Sequence, residues 1–373
     1  MTAEKQAGLQ RKVPHSRIES LISWRGQRDS KDWRVPKCII RRIRSSSDRW
    51  RRNRQIIVEH INVTSILISA IITTHNRSEV LERAIRSVKN QTYRNIELIV
   101  VDDASEVAHR ERNKLIAKGA KYHYIEHSQG GNYARNMGIE LSSGKLIAFL
   151  DDDDAWHPTK IEKQVALYND SHFEVIGCGH NYIVEKNEKV LFATPDIRKG
   201  SNEKDFSETV FSGPPFVTSE LMITRDALLE VGCFDVTLKA WQEYDLLIRL
   251  SEKYIFGCVE EALIDYYVNL SDPHRLTNRL DVFLYSFPII ENKYRKRIEA
   301  LPLQYKNRWK MTYLSDCAGR TSSKSERRKY RKEIFLMNRD KGSFIFYILN
   351  IDFNSEVYYR WLRWRNRRKN GRP

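Results

Sequence analysis

Four consecutive aspartates, Asp151–Asp154, follow a short apolar segment and strongly constrain what this chain can fold into. The segment before them, 145–150, is predicted to be a β-strand because it is apolar and is bounded by Ser142-Ser143-Gly144 and Pro158. Adjacent carboxylates repel one another, so a folded protein keeps such a cluster only where a cation sits. Carboxylate oxygens suit Mg²⁺ or Mn²⁺ that is shared with substrate phosphates. The run therefore predicts a divalent-metal site at a strand end; the alternative is a solvated acidic loop.

Strands and helices alternate over residues 65–156. Apolar, β-branched segments at 66–72 and 96–101 predict strands buried on both faces. Apolar residues at helical spacing follow the first of them, and a strand–helix–strand unit implies a right-handed parallel crossover. Ligands bind beyond the carboxyl ends of the strands in such sheets, so the aspartates should project into that crevice. We predict an α/β fold whose sheet is mostly parallel, followed by a mixed region over 157–290.

Charge divides the chain into three parts. The formal net charge is +16, but residues 1–64 carry 16 basic and 6 acidic side chains and residues 291–373 carry 23 and 8, which leaves 65–290 at −9. The acidic middle is therefore a functional unit separate from the basic ends. We predict a basic N-terminal extension (1–64), a catalytic domain (65–290) and a basic, aromatic-rich helical C-terminal extension (291–373).

The cysteines and the apolar segments bear on location. The five cysteines are odd in number, widely spaced and free of Cys-x-x-Cys pairs, which predicts reduced thiols in a cytosolic setting. Met1–Arg11 has no apolar signal segment, and no stretch reaches the roughly 18 apolar residues that span a bilayer. We expect a cytoplasmic protein, soluble or peripheral at the inner face of the cytoplasmic membrane.

Six short motifs occur in order along residues 65–270. They are Ile71–Arg77, Glu97–Ser105, Gly131–Gly138, Phe149–Trp156, Gly232–Asp235 and Gln242–Leu250. In order and spacing they resemble the family 2 glycosyltransferases, the inverting enzymes of the GT-A fold that include bacterial surface-polysaccharide enzymes. The resemblance implies a Rossmann-like sheet that binds a nucleotide-sugar through its first half (65–156) and an acceptor through its second half (157–290).

The resemblance assigns roles to individual residues of the first half. The nucleotide-sugar-binding residues that it implies are Thr73, His75, Arg77, Asp103, Arg135, Asp151 and Asp152. Asp103 would accept a hydrogen bond from the uracil imide N–H, because an ionised carboxylate only accepts; UDP is therefore the expected nucleotide. The alternative for Asp103 is a helix cap, which Asp102 or Ser105 could supply instead. The alternative for Arg135 is a surface arginine on a helix.

The metal site resembles the D-x-D motif of the family. Asp153 stands in the position of the direct Mn²⁺ or Mg²⁺ ligand, Asp151 is the other acid of the metal-binding pair, and Asp151 or Asp152 would reach the ribose. Asp152 and Asp154 form a second D-x-D register, although the flanking Phe149-Leu150 and Ala155-Trp156 favour the first.

The catalytic base is expected in the last motif. Gln242-Glu243 stands where the family has a Glu-Asp or Gln-Asp pair, so the resemblance implies Glu243 as the base. Asp245 is the alternative base, unless it is a helix N-terminal carboxylate favoured by the dipole. Other residues expected near the acceptor or the phosphates are Thr218, Ser219, Trp241 and His274.

These features imply a metal-dependent inverting glycosyltransferase that moves a sugar from a UDP-sugar to a hydroxyl of a glycan or lipid-linked glycan. The aromatics interleaved with arginines at 358–369 suit an anionic membrane surface; the alternative is a helical tail packed on the catalytic domain. A second hypothesis is a polyanion- or nucleic-acid-binding protein with a degenerate transferase core, which the basic ends would support. No nucleic-acid-binding module is recognisable, so nucleic acid is not the expected partner.

Overall fold

The computed structural model describes residues 65–184, 189–193, 203–268, 279–339 and 347. These residues belong to one compact unit, Thr64–Pro373. The predictions made for 1–64, for His274 and for the aromatic and basic run at 358–369 fall outside the described residues.

The strands of the described residues form one sheet. They are β1 (Ile68–Thr74), β2 (Ile96–Asp103), β3 (Lys121–Ile125), β4 (Leu146–Asp151), β5 (Ala155–Trp156), β6 (Val175–Val184), β7 (Lys189–Ala193), β8 (Glu203–Lys204), β9 (Met222–Thr224) and β10 (Phe256–Val268). Their order across the sheet is β3-β2-β1-β4-β9-β6-β10-β5, with β7 beside β6 and β8 beside β10.

The helices lie between and after these strands. They are α1 (Ser78–Lys89), α2 (Val107–Ile116), α3 (Gly131–Leu141), α4 (Lys160–Ser171), α5 (Arg225–Glu230), α6 (Gln242–Leu250), α7 (Leu280–Lys293), α8 (Arg295–Ala300), α9 (Leu303–Arg320) and α10 (Lys324–Asn338). None of the helices in the described part of the chain is long and apolar enough to cross a bilayer.

The first half of the sheet is parallel. Strands β3, β2, β1 and β4 pair in that order and in the same direction, and α1, α2 and α3 connect them. Beyond β4 the sheet is mixed, because β9 pairs antiparallel with both β4 and β6, while β6 and β10 are parallel to each other. The predicted α/β class with a mostly parallel sheet is confirmed, and the change of pattern after residue 156 corresponds to the mixed part.

Hydrophobic clusters cover both faces of the parallel half. Alternate residues of β1 enter different clusters: Ile71 packs on the side of α3, whereas Ile68 and Ile72 pack on the side of α1. Gly138 lets α3 approach closely, because a Cβ there would lie 2.5 Å from a methyl carbon of Ile71. This close packing fixes the helix that carries Arg135 over the end of β1.

The C-terminal helices continue the core of the catalytic part. The expected boundary at 290/291 falls inside α7, and Trp309 of α9 is buried against Tyr244 of α6 and Phe211. The ring of Phe287 on α7 stacks on Tyr313 of α9 with centroids 3.8 Å apart. Residues 280–320 therefore pack on the catalytic core, through aromatic side chains that tertiary contacts bring together.

Candidate active site

The loops after β1, β2 and β4 meet at one edge of the sheet. In the parallel register Thr74 lies opposite Asp102, and Thr73 lies opposite Asp151. The carboxyl ends of the three strands are therefore side by side, as the sequence predicts. Thr73 is partly exposed and His75 is exposed at this edge, so a ligand can reach both.

Asp154, the last of the four aspartates, lies inside the protein. Its carboxylate has no exposed surface, and it accepts hydrogen bonds from the Ser219 hydroxyl (2.6 Å) and the Tyr267 backbone N–H (3.2 Å). The same Ser219 hydroxyl oxygen accepts the backbone N–H of Asp151 (3.1 Å). Because a ligand in the cleft cannot reach Asp154, the geometry disfavours the D-x-D register that includes it.

Asp152 and Asp153 share one arginine. Arg77 donates through Nη1 to Asp152 Oδ1 (2.9 Å) and through Nη2 to Asp153 Oδ2 (2.6 Å). Asp152 also accepts the Thr74 hydroxyl (2.8 Å), and Arg83 donates to the backbone carbonyl of Asp153 (2.6 Å). The sequence predicts that the acidic run needs a cation. The guanidinium group of Arg77 supplies part of this positive charge from within the chain.

Burial affects the charge of Asp152. Burial raises the pKa of this carboxyl to about 7; the Arg77 guanidinium and the Thr74 hydroxyl act against the rise, and the carboxylates of Asp153 and Asp151 add to it. Because burial penalises the ionised form, the charged state of Asp152 depends on a positive partner.

The oxygen donors at this edge suit a divalent cation that takes only one or two ligands from the protein. No group of three or more His, Cys, Asp or Glu side chains within the described ranges is arranged to hold a metal ion. Asp151 and Asp153 offer hard carboxylate oxygens, which suit an Mg²⁺ or Mn²⁺ ion that takes one or two protein ligands and completes its shell with water and substrate phosphates. An ion bound at Asp153 Oδ2 would compete with Arg77 for that oxygen.

Arg135 connects the acids to helix α6. It is nearly buried on α3 and donates to Asp151 Oδ1 (2.7 Å) and to Gln242 Oε1 (3.0 Å). Gly131 leaves room for it, because a Cβ there would lie 3.1 Å from Arg135 Nη1. The alternative of a surface arginine is therefore wrong, and the guanidinium holds the end of β4 beside the start of α6.

Asp103 fastens the loop that precedes α3. Its carboxylate accepts the Ser128 hydroxyl and the backbone N–H groups of Gln129 and Gly130, each at 2.8 Å. The His75 ring donates from Nδ1 to the Asp103 carbonyl oxygen (2.6 Å). A carboxylate has about four acceptor positions, so three are occupied and one is left for a ligand donor. The role of Asp103 toward uracil stays a prediction.

The neighbouring Asp102 secures the turn after β2, whereas the N-cap position of α2 is Glu106 and has no side-chain cap hydrogen bond. Its buried carboxylate accepts the Ser105 backbone N–H (2.9 Å), the Asn113 amide (2.8 Å) and the Tyr122 hydroxyl (2.7 Å). These bonds secure the turn between β2 and α2. Asp103 is therefore not needed to cap this turn.

Glu243 lies in the first turn of α6 next to Gln242, the residue that Arg135 binds. The residue keeps some exposed surface, yet protein surrounds its carboxylate, and this burial raises the pKa of Glu243. Asp151 and Asp316 raise the pKa further by charge repulsion, and Arg135 lowers it. A raised pKa makes this carboxylate a better proton acceptor, which suits a general base.

Asp245 has a structural environment. It has no exposed surface, and its carboxylate accepts Arg249 Nε (3.0 Å) and Nη2 (2.9 Å), the Tyr294 hydroxyl (2.7 Å) and Lys293 Nζ (2.8 Å). These donors belong to the C-terminal end of α6 and to the end of α7. An acceptor hydroxyl has no path to this carboxylate, which argues against Asp245 as the base.

The residues expected on the acceptor side are buried. Thr218 and Ser219 form a 3₁₀ turn beneath the aspartates, where the Ser219 hydroxyl positions Asp151 and Asp154. Trp241 packs among aromatic rings of α7 and α9. Because these three side chains are buried, the expectation that they contact an acceptor directly is wrong. They belong to the structural support of the site.

Asp316 on α9 is a residue near the candidate base that the motifs did not indicate. It accepts the indole N–H of Trp241 (2.8 Å) and Nη1 of Arg320 (2.5 Å), and it lies close enough to raise the pKa of Glu243. No local pattern in α9 distinguishes it from a surface acid. Only the packing of α9 against α6 brings it to the site.

Comparisons with known proteins find similarity to glycosyltransferases. Residues 69–231 match the family model described as glycosyl transferase family 2. An uncharacterized glycosyltransferase of Rickettsia typhi is 33% identical over 201 residues, which are 52% of this chain and 62% of the relative. The amylovoran biosynthesis glycosyltransferase AmsB of Erwinia amylovora is 26% identical over 216 residues, 54% of this chain and 70% of the relative. The chain thus spans less than two thirds of the Rickettsia relative.

Solved structures with a similar course of the chain are more distant. Staphylococcus aureus TarS 1–349 in complex with UDP is 14% identical with a TM-score of 0.48, over 79% of this chain and 92% of that one. The mannosyltransferase PcManGT of Pyrobaculum calidifontis, solved with GDP-Man and Mn²⁺, is 15% identical with a TM-score of 0.48, over 76% and 84% of the two chains.

Proposed function

We propose that this protein, whose residues 69–231 match the model of glycosyl transferase family 2, is a member of that family and transfers a sugar from a nucleotide-sugar to the hydroxyl of an acceptor. The observation that carries the proposal is the bridge made by Arg135 between Asp151 and Gln242. This bridge brings Asp151, which would hold the metal ion of a donor's diphosphate, close to Glu243, which would take the proton of an acceptor.

The donor side is formed by the ends of β1, β2 and β4. Arg77 and Arg135 supply guanidinium groups near the acids, and guanidinium binds phosphate oxygens in pairs. Asp151 and Asp153 would hold Mn²⁺ or Mg²⁺, which acts as a Lewis acid on the leaving diphosphate. UDP is the proposed nucleotide because Asp103, at the end of β2, stands where the family resemblance implies a contact with uracil, and its carboxylate accepts three donors of the chain out of about four positions.

The acceptor side begins at α6. Glu243 would take the proton of the attacking hydroxyl, a role that contributes roughly 10²–10⁴-fold to a rate. A single base on the side of the acceptor fits a direct displacement, which inverts the configuration of the sugar. The proposed acceptor is a glycan or a lipid-linked glycan, and AmsB, which is similar over half of this chain, is described as an amylovoran biosynthesis enzyme.

We also propose that the basic C-terminal helices bring the protein to an anionic membrane surface. Exposed cations on α8 to α10 include Lys296, Arg308, Arg328, Lys329 and Lys332. Each cation near such a surface contributes on the order of 1 kcal/mol. Sedimentation with vesicles that contain phosphatidylglycerol, but not with purely zwitterionic vesicles, is the expected result; equal sedimentation with both would contradict the proposal.

Calorimetric titration with UDP tests the donor site. Wild-type protein should bind UDP with Mn²⁺ and lose most of this affinity when EDTA removes the metal. Asp153→Ala should abolish the metal dependence. Asp281→Ala, which removes an exposed acid at the start of α7, is the matched control and should bind as the wild type does.

Transfer is then tested with a panel of nucleotide-sugars. UDP-sugar hydrolysis, measured as released UDP, should depend on Mn²⁺ and on Glu243. If the folded protein binds no nucleotide but binds a random oligonucleotide with a steep dependence on salt, the polyanion-binding hypothesis replaces the transferase.

A further inference from the structure

Arg77 is fixed at its backbone and extends a long side chain onto the acids. Asn76, the residue before it, has a φ of 52° and donates its backbone N–H to the Ser105 hydroxyl (2.8 Å). The end of β1 is thereby tied to the turn after β2. The Arg77 side chain is 40% exposed, whereas the carboxylates of Asp152 and Asp153 that it bridges are only 5% and 11% exposed. An accessible cation thus covers two nearly buried anions.

Arg77 and a divalent cation require the same oxygen. Arg77 Nη2 lies 2.6 Å from Asp153 Oδ2, the oxygen that would ligate Mn²⁺ or Mg²⁺ at about 2.1 Å. While this ion pair is in place, the guanidinium holds Asp153 Oδ2, so an ion that uses this oxygen cannot bind. Arg77 therefore has to leave Asp153 when the metal binds.

A displaced guanidinium needs another anion. Leaving Arg77 unpaired beside a dication would add repulsion to the cost of breaking two charge-assisted hydrogen bonds. The diphosphate of a donor supplies the matching acceptor, because phosphate oxygens accept a guanidinium in the same two-pronged geometry as carboxylates. This step rests on the proposed function for one point, the identity of the diphosphate.

We propose that Arg77 is an exchangeable counter-ion that occupies the Asp152–Asp153 pair until a divalent cation and a nucleoside diphosphate arrive together. The exchange couples the two ligands: the cation takes Asp153, which it would share with Asp151, while Arg77 turns to the phosphates. Each ligand then binds weakly without the other, and the coupling is reciprocal. Arg77 is in this view a positioning residue for the donor complex.

Titration of Mn²⁺ without nucleotide tests the exchange. Free Mn²⁺ is measured by electron paramagnetic resonance with wild type, Arg77→Gln and Arg77→Lys, each checked for native circular dichroism. Arg77→Gln should bind Mn²⁺ at least about tenfold more tightly than wild type, a typical coupling magnitude. Arg77→Lys keeps the charge but cannot bridge both carboxylates, so its affinity should lie between the two.

Two further variants locate the effect. Arg77→Gln combined with Asp153→Asn should lose the added affinity for Mn²⁺, because the Asp153 carboxylate that Arg77→Gln makes available is gone. Arg112→Gln, which removes an exposed arginine paired with Glu79, should bind Mn²⁺ as the wild type does. Saturating UDP should strengthen Mn²⁺ binding more in wild type than in Arg77→Gln.

The outcomes separate this proposal from the proposed function. Mn²⁺ affinity that is equal in wild type and Arg77→Gln, or undetectable in both, overturns the role of Arg77 whatever UDP does. A wild type that fails to bind UDP with Mn²⁺ contradicts the donor site instead, and the comparison without nucleotide still decides whether Arg77 blocks the carboxylates.

Discussion

Residues that are adjacent in sequence have different surroundings in this site. Asp153 lies at the cleft in contact with Arg77, while Asp154 is sealed behind it by Ser219 and Tyr267. Glu243 and Asp245 differ in the same way: Asp245 has no exposed surface, whereas Glu243 keeps some. In both pairs the carboxylate without exposed surface has a hydrogen-bond network that supports the fold, and the one that keeps some exposed surface is the one proposed for chemistry.

Two substitutions in α6 should separate catalysis from stability. Glu243→Gln keeps the shape of the side chain but cannot accept a proton, so sugar transfer or donor hydrolysis should fall roughly 10²–10⁴-fold. Affinity for UDP with Mn²⁺, measured by calorimetry, should stay within twofold of wild type.

Asp245→Asn is the matched substitution two residues away. It leaves Arg249 and Lys293 without their shared anion, so thermal denaturation should show a loss of about 3 kcal/mol in the free energy of unfolding. Activity per folded molecule should remain. A larger catalytic loss for Asp245→Asn than for Glu243→Gln would assign the base to Asp245.

At the scale of elements, short polar contacts hold together strands that are far apart in sequence. His157, just after β5, lies 2.9 Å through Nε2 from Asp265 Oδ1 on β10, and Asn181 of β6 donates to the same oxygen (2.9 Å). The Asp265 carboxylate raises the pKa of His157. Burial by itself would raise the pKa of Asp265. The hydrogen bonds from His157 and Asn181 outweigh burial, so the pKa of Asp265 is lowered.

This pair predicts a pH dependence of stability. His157 gains a proton more readily in the folded state than in the unfolded state. Its contribution to the free energy of unfolding is therefore fully present below the ordinary histidine pKa of about 6.5. The contribution disappears as the pH rises through the higher folded pKa. His157→Gln should therefore lower the unfolding free energy by about 0.2–1 kcal/mol at pH 5.5, because the pair is partly exposed, and by less at pH 8.5.

Denaturation curves at both pH values check the effect. His127→Gln, at an exposed position of the loop before α3, is the control and should show no such trend. A destabilisation by His157→Gln that grows with pH would mean that the charged pair does not stabilise the sheet.

At the scale of the whole molecule, an aromatic cluster makes the catalytic part and the C-terminal helices one folding unit. Trp241 lies between Phe283 and Phe287 of α7 and Trp309 of α9, at ring-centroid distances from 5.6 to 5.9 Å. Such rings bury large apolar areas. Helix α6, which carries Glu243, therefore depends on packing from residues about 40 to 70 positions further along the chain.

Trp309→Ala should test this dependence. The substitution removes a side chain that is 2% exposed, and a loss of about 3–5 kcal/mol in unfolding free energy is expected, with a single cooperative transition. Leu303→Ala on the same helix removes a side chain that is 71% exposed and should change stability by less than about 0.5 kcal/mol. A Trp309→Ala protein as stable as Leu303→Ala would show that α9 folds independently of the catalytic part.

The sequence by itself determined the parallel half of the fold and the place of the acids. Apolar strands of period and length typical of a parallel sheet, and turn residues between them, are local signals, so β1, β2 and β4 and the edge at which they end could be predicted. The order of six motifs likewise indicated the resemblance to glycosyltransferase family 2.

Tertiary structure decided which of the acids face the cleft. The flanking residues and the motif favoured Asp153 and Glu243 but left Asp154 and Asp245 open. Each choice depends on donors from distant segments: Arg77, Ser219, Arg249 and Lys293. The burial of Trp241 and the arrival of Asp316 depend in the same way on how α7 and α9 pack. A carboxylate's role follows from the charges and solvent around it, and those are set by contacts between parts of the chain that a sequence pattern does not relate.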